Sequence, residues 1–317
     1  MKSYCPITLD LLKEDESHYS KKGLQTLSRT LKDLTPLQYT TDQQMAEAVA
    51  RADKMSIQGV QPKLSALLKV NEGKFEIVDT GGRFILKPCP TMFKEVPANE
   101  SLTMTMAGLC GIETPDHGLV YAVDQSFTYW IKRFDRKGRS NRKFPQEDFA
   151  QLTGRSRETK YDSSMEKVVS VLEQYCTFPV LEKRKIATLT LFCYLTGNED
   201  MHLKNFSIIT REQNGQPMIK LSPAYDLLNT TIVLKNPPEE VALPIKGKKR
   251  NLSRTDLLKY FCIERCGLSS KYLDKILEEL SGQLPMMRSL INRSFLSDNL
   301  RVAYTDILHQ RAEKLGL

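Results

Sequence analysis

Residues 197–207 read Gly197-Asn198-Glu199-Asp200-Met201-His202-Leu203-Lys204-Asn205-Phe206-Ser207. The stretch follows KRKIATLTLFCYLTG (183–197), whose apolar spacing predicts a buried helix. It runs into FSIIT (206–210), which reads as a strand. Asp200, His202, Lys204 and Asn205 therefore crowd into six positions between a helix and a strand. That is more polar chemistry than a connector needs. Taken singly, each residue has an ordinary explanation, since Asp and Asn are common in loops and a lone His is more often a polar contact than a catalytic group.

Phosphoryl transfer asks for this set of groups. A carboxylate must orient and deprotonate the attacking hydroxyl, and oxygen ligands must hold Mg²⁺ against the phosphates. Asp200 and Asn205 are five positions apart, the separation of the catalytic Asp and metal-binding Asn in a kinase catalytic loop. A second metal carboxylate should follow a short hairpin. The polar turn at Asn214-Gly215, between FSIIT and MIKLS (218–222), supplies the hairpin. Asp226, in Ser222-Pro223-Ala224-Tyr225-Asp226-Leu227-Leu228, stands just beyond it.

Working outward, residues 57–137 carry short apolar runs divided by Gly and Pro. LSALLKV (64–70), KFEIVD (74–79), FILKP (84–88), GLVYAV (118–123) and FTYWIKRF (127–134) read as strands, with one helix from Asn99 to about Leu109. From about Gln146 the pattern is helical. Upstream, Gly23–Lys54 reads as largely helical until Pro36 interrupts, with a second helix capped by Asp42. These elements give an α+β, two-lobed protein-kinase-like fold, a small β-rich N-lobe before a larger helical C-lobe. The expected divisions are a helical extension over 1–55, an N-lobe over 56–135 and a C-lobe over 136–317.

The chain has 317 residues, long enough for a large core. Its seven cysteines are scattered without a CxxC, which speaks against a disulfide framework. The opening MKSYCPITLDLLKEDESHYS is cut by charges and is no signal peptide, and no window reaches the length of a membrane span. A cytoplasmic protein without membrane contact is expected. The net charge of +8, concentrated at 132–143 and 246–250, suits polyanionic partners.

The sequence Asp-x-His-x-Lys-Asn-Phe-Ser, followed by a hairpin and Pro223-Ala224-Tyr225-Asp226-Leu227-Leu228, resembles the catalytic core of the HipA-family serine/threonine kinases. The likeness extends over roughly residues 55–270. Ser56 to Lys63 is similar to that family's phosphate-binding loop, Phe84 to Pro88 to its ATP-lysine strand, and Lys132 to Arg136 to its interlobe hinge. Phe144 to Asp148 resembles the start of its helical lobe.

The resemblance implies a role for each matching residue. Asp200 would be the catalytic base, and Asn205 and Asp226 would hold Mg²⁺. Lys87, positioned by Glu100, would neutralise the ATP phosphates. Gln58, Gly59, Val60, Gln61, Pro62 and Lys63 would cradle those phosphates, with His202 and Lys204 contacting them or bracing the loop. The backbone of Lys132, Arg133 and Phe134 would meet the adenine. Ser56 would be an autophosphorylation site whose phosphate restrains the loop.

HipA itself carries an extra N-terminal subdomain, so this shorter chain looks more like the HipT branch, in which a separate small protein supplies it. Family members act as toxins with a helix-turn-helix antitoxin, reach DNA only through it, and phosphorylate an aminoacyl-tRNA synthetase. Two other functions fit the same motifs: a kinase-shaped regulator in an antitoxin–DNA complex, or a small-molecule or lipid kinase. The retention of Lys87, Asp200, Asn205 and Asp226 argues against a dead scaffold. Cys5 to Thr8 with His18 is similar to a zinc knuckle of some relatives, but the paired cysteines are missing and no zinc is expected.

Overall fold

The strand Leu64–Lys69 (β1) turns through Val70–Glu72 into Lys74–Ile77 (β2), an antiparallel pair in which Leu68 faces Phe75. In the computed structural model, which describes residues 3–51, 62–90, 92–93, 95–136, 142–234 and 237–317, this hairpin is one edge of a five-stranded antiparallel sheet. Phe84–Lys87 (β3), His117–Tyr121 (β4) and Phe127–Lys132 (β5) complete it in the order β2-β1-β3-β5-β4. Its apolar face carries Leu64, Ala66, Phe75, Phe84, Leu86 and Trp130, all buried. Phe84 stands edge-on to both Phe75 and Trp130, at centroid distances of 5.2 and 5.9 Å, a packing that suits the aromatic quadrupole.

The chain divides into two units. The first comprises Met1–Thr105, Pro115–Asn141 and Ser289–Arg301; the second comprises Met106–Thr114, Arg142–Arg288 and Val302–Leu317. The N-terminal residues, expected as a separate helical extension, belong to the first unit and share one core with its sheet. Leu24, Leu27, Leu31, Leu34 and Leu37 all pack in the cluster that contains Leu86 and Trp130.

Their secondary structure also differs from the expectation. Helix α1 spans only Lys21–Leu27 and helix α2 Thr41–Ala50, and residues 29–39 between them form neither helix nor strand. Leu37 instead bridges Ala122 in parallel, with its N–H on the Tyr121 carbonyl at 2.8 Å. The leucine spacing is satisfied by burial against a sheet rather than along a helix. Thr40, not Asp42, caps α2, in a capping box with Gln43. Cys5 is buried in the same core, its sulfur accepting the Ser20 N–H at 3.2 Å.

Helix α3 (Val96–Leu109) passes from the first unit to the second. The second unit holds a short strand β6 (Gln146–Asp148), helix α4 (Phe149–Leu152) and helices α5 (Met165–Tyr175) and α6 (Pro179–Leu195). Helix α6 begins with Pro at its first position and buries ten of its residues, all but Glu182 in its C-terminal part from Ile186 to Leu195. Strands β7 (Ser207–Gln213) and β8 (Gln216–Leu221) follow as a hairpin, and β7 pairs with β6 on its other edge. Asn214 and Gly215 have φ of 51° and 75°, the two left-handed residues that a two-residue hairpin turn requires. Helix α7 (Thr230–Leu234), a π-helical segment over Thr255–Arg265, α8 (Ser270–Arg293) and α9 (Asp298–Leu315) complete the chain.

Candidate active site

The loop between α6 and β7 is held in one shape from both ends. Gly197 has φ of 68°, and a Cβ there would stand 2.8 to 2.9 Å from Thr231, Asn229 and Ile307. Only glycine meets both conditions. Its carbonyl accepts the N–H groups of Thr230 and Thr231 at 2.9 and 3.2 Å, and the Glu199 N–H donates to the Thr230 hydroxyl at 2.7 Å. This ties the loop to the N-terminus of α7.

Asp200 and Asn205 are joined directly. Asn205 Nδ2 donates to the Asp200 carbonyl at 2.8 Å, and the His202 N–H reaches the same carbonyl at 2.8 Å. The Asp200 N–H in turn donates to Asn198 Oδ1 at 3.1 Å. With its nitrogen engaged in the loop, Asn205 keeps its amide oxygen as the atom able to ligate a cation. Asp226, past the hairpin, has φ of 61°. A non-glycine residue pays conformational strain in that region, which persists where the surroundings hold it, often at functional sites. Its charge is felt by His202 and by Tyr225, so it lies near the loop. A carboxylate and an amide oxygen are hard donors of the kind Mg²⁺ takes.

His202 and Lys204 brace this loop. Lys160 Nζ lies 2.7 Å from His202 Nε2, and Lys204 Nζ lies 3.2 Å from Asp148 Oδ2. Tyr225 adds a hydroxyl bond to the Lys204 carbonyl at 3.1 Å. Burial lowers the pKa of His202, and Lys160 lowers it further, against the opposing pull of Asp200 and Asp226. A neutral imidazole follows, with Nε2 accepting from Lys160 and the proton on Nδ1, a buried atom without a partner among the described residues. Sequence reading singled out neither Lys160, Tyr161 nor the Asp148 contact. Tyr161 is half-exposed and its hydroxyl donates to Asp200 Oδ1. It lies 39 positions from Asp200, so no local pattern could reveal it.

Glu199, beside Asp200, is also fixed from a distance. Arg311 of α9 lies 3.2 Å from its Oε1 and 3.4 Å from Glu240 Oε1. Burial raises the Glu199 pKa to about 7, with Glu240 and Glu239 adding to it and Thr231 and Arg311 opposing.

The first unit holds the other expected group. Lys87, on β3, lies 2.6 Å from Glu100 of α3, and both side chains are almost fully buried. Lys87 also sits over the Tyr129 ring at 5.5 Å. Pro62 and Lys63 lead into β1, whereas Ser56, Gln58, Gly59, Val60 and Gln61 lie outside the described residues. In the Lys132–Phe134 segment, the N–H groups of Lys132 and Arg133 donate to the carbonyls of Asp116 and Arg83, both at 2.8 Å. Neither donor is left for a base edge. The Arg133 guanidinium forks onto Asp135 at 2.8 and 3.0 Å.

Residues 55–287 match the model of the HipA-like C-terminal domain. The chain belongs to the HipA-like C-terminal domain family. A Haemophilus influenzae protein that carries a provisional kinase name is 30% identical over 241 residues, 72% of this chain and 69% of that protein. The serine/threonine-protein kinase toxin HipA of Shewanella oneidensis is 26% identical over 200 residues, 56% of this chain and 43% of its own. The solved complex of Shewanella oneidensis HipA with HipB and operator DNA contains a chain that matches 98% of this one, at a TM-score of 0.66 and 19% identity. The Helicobacter pylori proinflammatory kinase CtkA matches 79%, at a TM-score of 0.55 and 16% identity. The α+β fold expected from the sequence is therefore the fold shared with HipA and CtkA. No helix among the described residues is long and apolar enough to cross a membrane.

Proposed function

We propose that this chain is an ATP- and Mg²⁺-dependent serine/threonine protein kinase. The observation that carries the reading is the closed loop from Asp200 to Asn205. One hydrogen bond fixes the catalytic spacing there, and the strained carboxylate Asp226 follows on the far side of the hairpin.

ATP supplies the phosphoryl group, and Mg²⁺ offsets its charge. Asn205 and Asp226 would hold the metal with their oxygens. Asp200 would accept the hydrogen bond and then the proton of the acceptor hydroxyl. Lys87, oriented by Glu100, would meet the α- and β-phosphates. The loop from Gln58 to Lys63 would enclose the phosphates through its backbone, with Ser56 as the autophosphorylated residue. His202 and Lys204 are given a bracing role, which their contacts with Lys160 and Asp148 support.

A toxin role with a helix-turn-helix antitoxin, and an aminoacyl-tRNA synthetase as acceptor, are further parts of this proposal. They rest on the family and on the HipB and operator DNA seen with the Shewanella protein. The test is intact mass after incubation of phosphatase-treated protein with ATP and Mg²⁺, beside Asp200→Ala. A phosphate gained on Ser56 in the parent alone supports the reading. Absence of both self-labelling and ATP hydrolysis in the parent removes it.

A further inference from the structure

Residues 154–163, between α4 and α5, make a set of contacts on the catalytic loop that phosphoryl transfer does not by itself require. The Lys160 carbonyl accepts the Leu203 N–H at 3.2 Å, and Lys160 Nζ meets His202 Nε2 at 2.7 Å. The Tyr161 ring stands edge-on to the His202 ring, with centroids 5.0 Å apart at 87°, and Lys160 Nζ lies 4.9 Å from the Tyr161 ring centre. These contacts deliver the Tyr161 hydroxyl to Asp200 Oδ1, to which it donates.

An O–H donating to Asp200 is the relationship a phosphoryl acceptor must establish before its proton can be taken. Tyr161 makes that bond from within the chain itself. Yet Tyr161 is 41% exposed, so its side chain has solvent to swing into. A partly exposed phenol is displaceable in a way that a buried one is not.

We propose that Tyr161 occupies the acceptor-hydroxyl position on Asp200, so that a serine or threonine acceptor binds by displacing it and Tyr161 sets acceptor affinity. This rests on the reading of Asp200 as the base. The displaced phenol keeps its proton, and the incoming hydroxyl gives its own to Asp200 as its oxygen bonds phosphorus and the bond to ADP breaks. Water entering the same position would give ATP hydrolysis, so the phenol also suppresses that side reaction.

The test compares the parent with Tyr161→Phe, which keeps the ring contacts with His202 and Lys160 and loses only the hydroxyl. Dephosphorylated casein serves as the acceptor probe. The expected result is a casein KM lower by about fivefold or more, the equivalent of one hydrogen bond, with kcat within twofold and faster ATP hydrolysis without casein. An unchanged KM, or a fall in kcat alone, overturns the inference, because the phenol would then orient Asp200 instead of excluding the acceptor.

A second readout does not use activity. Burial, the bond to Asp200 and the Asp200 charge all raise the Tyr161 pKa. In ¹³C-tyrosine-labelled protein the Tyr161 ring should titrate at lower pH in Asp200→Asn than in the parent. An identical titration in both would also overturn the inference. A parent that neither hydrolyses ATP nor labels casein removes the kinase reading itself. An active parent with unchanged acceptor KM in Tyr161→Phe removes only the role given to Tyr161.

Discussion

Lys87 Nζ lies 2.6 Å from Glu100 Oε1, with the lysine side chain 6% exposed and the glutamate side chain 1% exposed. Two charges taken this far out of water are held by each other, so the pair behaves as one element linking β3 to α3. Removing one partner leaves the other charged and uncompensated, at a cost of about 3–5 kcal/mol. Glu100→Ala should therefore unfold at markedly lower urea, whereas the paired change Lys87→Met with Glu100→Leu should recover most of the loss while abolishing phosphoryl transfer. Equal destabilisation by the single and double changes would show that the pair is not the source of the effect.

Gly197 and Gly215 both have positive φ, 68° and 75°, but their surroundings differ. Around Gly215 nothing lies within 4 Å of a built Cβ, so Gly215→Ala carries only the left-handed strain of about 1–2 kcal/mol. At Gly197 the same substitution adds a clash with Thr231, Asn229 and Ile307. Thermal melts should rank Gly197→Ala well below Gly215→Ala. A similar Tm for both would mean that the loop and α7 shift apart freely.

Glu199 gives a pH dependence whose sign can be worked out. Its pKa is raised from 4.5 to about 7, chiefly by burial. The folded chain then binds more protons than the unfolded one between these values, so this group's contribution is full below about pH 4.5 and is lost as pH rises towards 7. Glu199→Gln removes that loss. The Tm of the glutamine variant minus that of the parent should climb from pH 5 to pH 8. A flat or falling difference would show that Arg311 keeps Glu199 charged throughout.

Asn205 has two jobs in the proposed reaction. Its nitrogen closes the loop on the Asp200 carbonyl, and its oxygen is the proposed metal ligand. Asn205→Ala loses both, and the Mg²⁺ concentration for half-maximal activity should rise by about tenfold or more. An unaltered Mg²⁺ requirement with a lowered rate would assign Asn205 to the loop alone.

Much of the fold was legible because its causes are local. The apolar run of α6, the strand that follows it and the Asn214-Gly215 turn each draw on neighbours a few positions away, so periodicity and turn chemistry locate them. The strands β1 to β5 were found for the same reason, to within a residue or two. Asp200, Asn205 and Asp226 could be singled out because their spacing along one loop and one hairpin is itself the signal.

Other features depend on the path of the whole chain. Leu31 and Leu34 have the spacing of a helix yet lie in an irregular segment, because the sheet core buries them without helix formation. Lys204 meets Asp148 across 56 positions, and Arg311 meets Glu199 across 112. Tyr161 reaches Asp200 across 39 positions, beside a Lys160 carbonyl that accepts the Leu203 N–H. The sequence alone determined which groups could do the chemistry and the local elements that carry them. Tertiary structure decided which charges are paired, which pKa values move and which hydroxyl rests on Asp200, because burial and long-range contact depend on where the chain returns, not on the spacing along it.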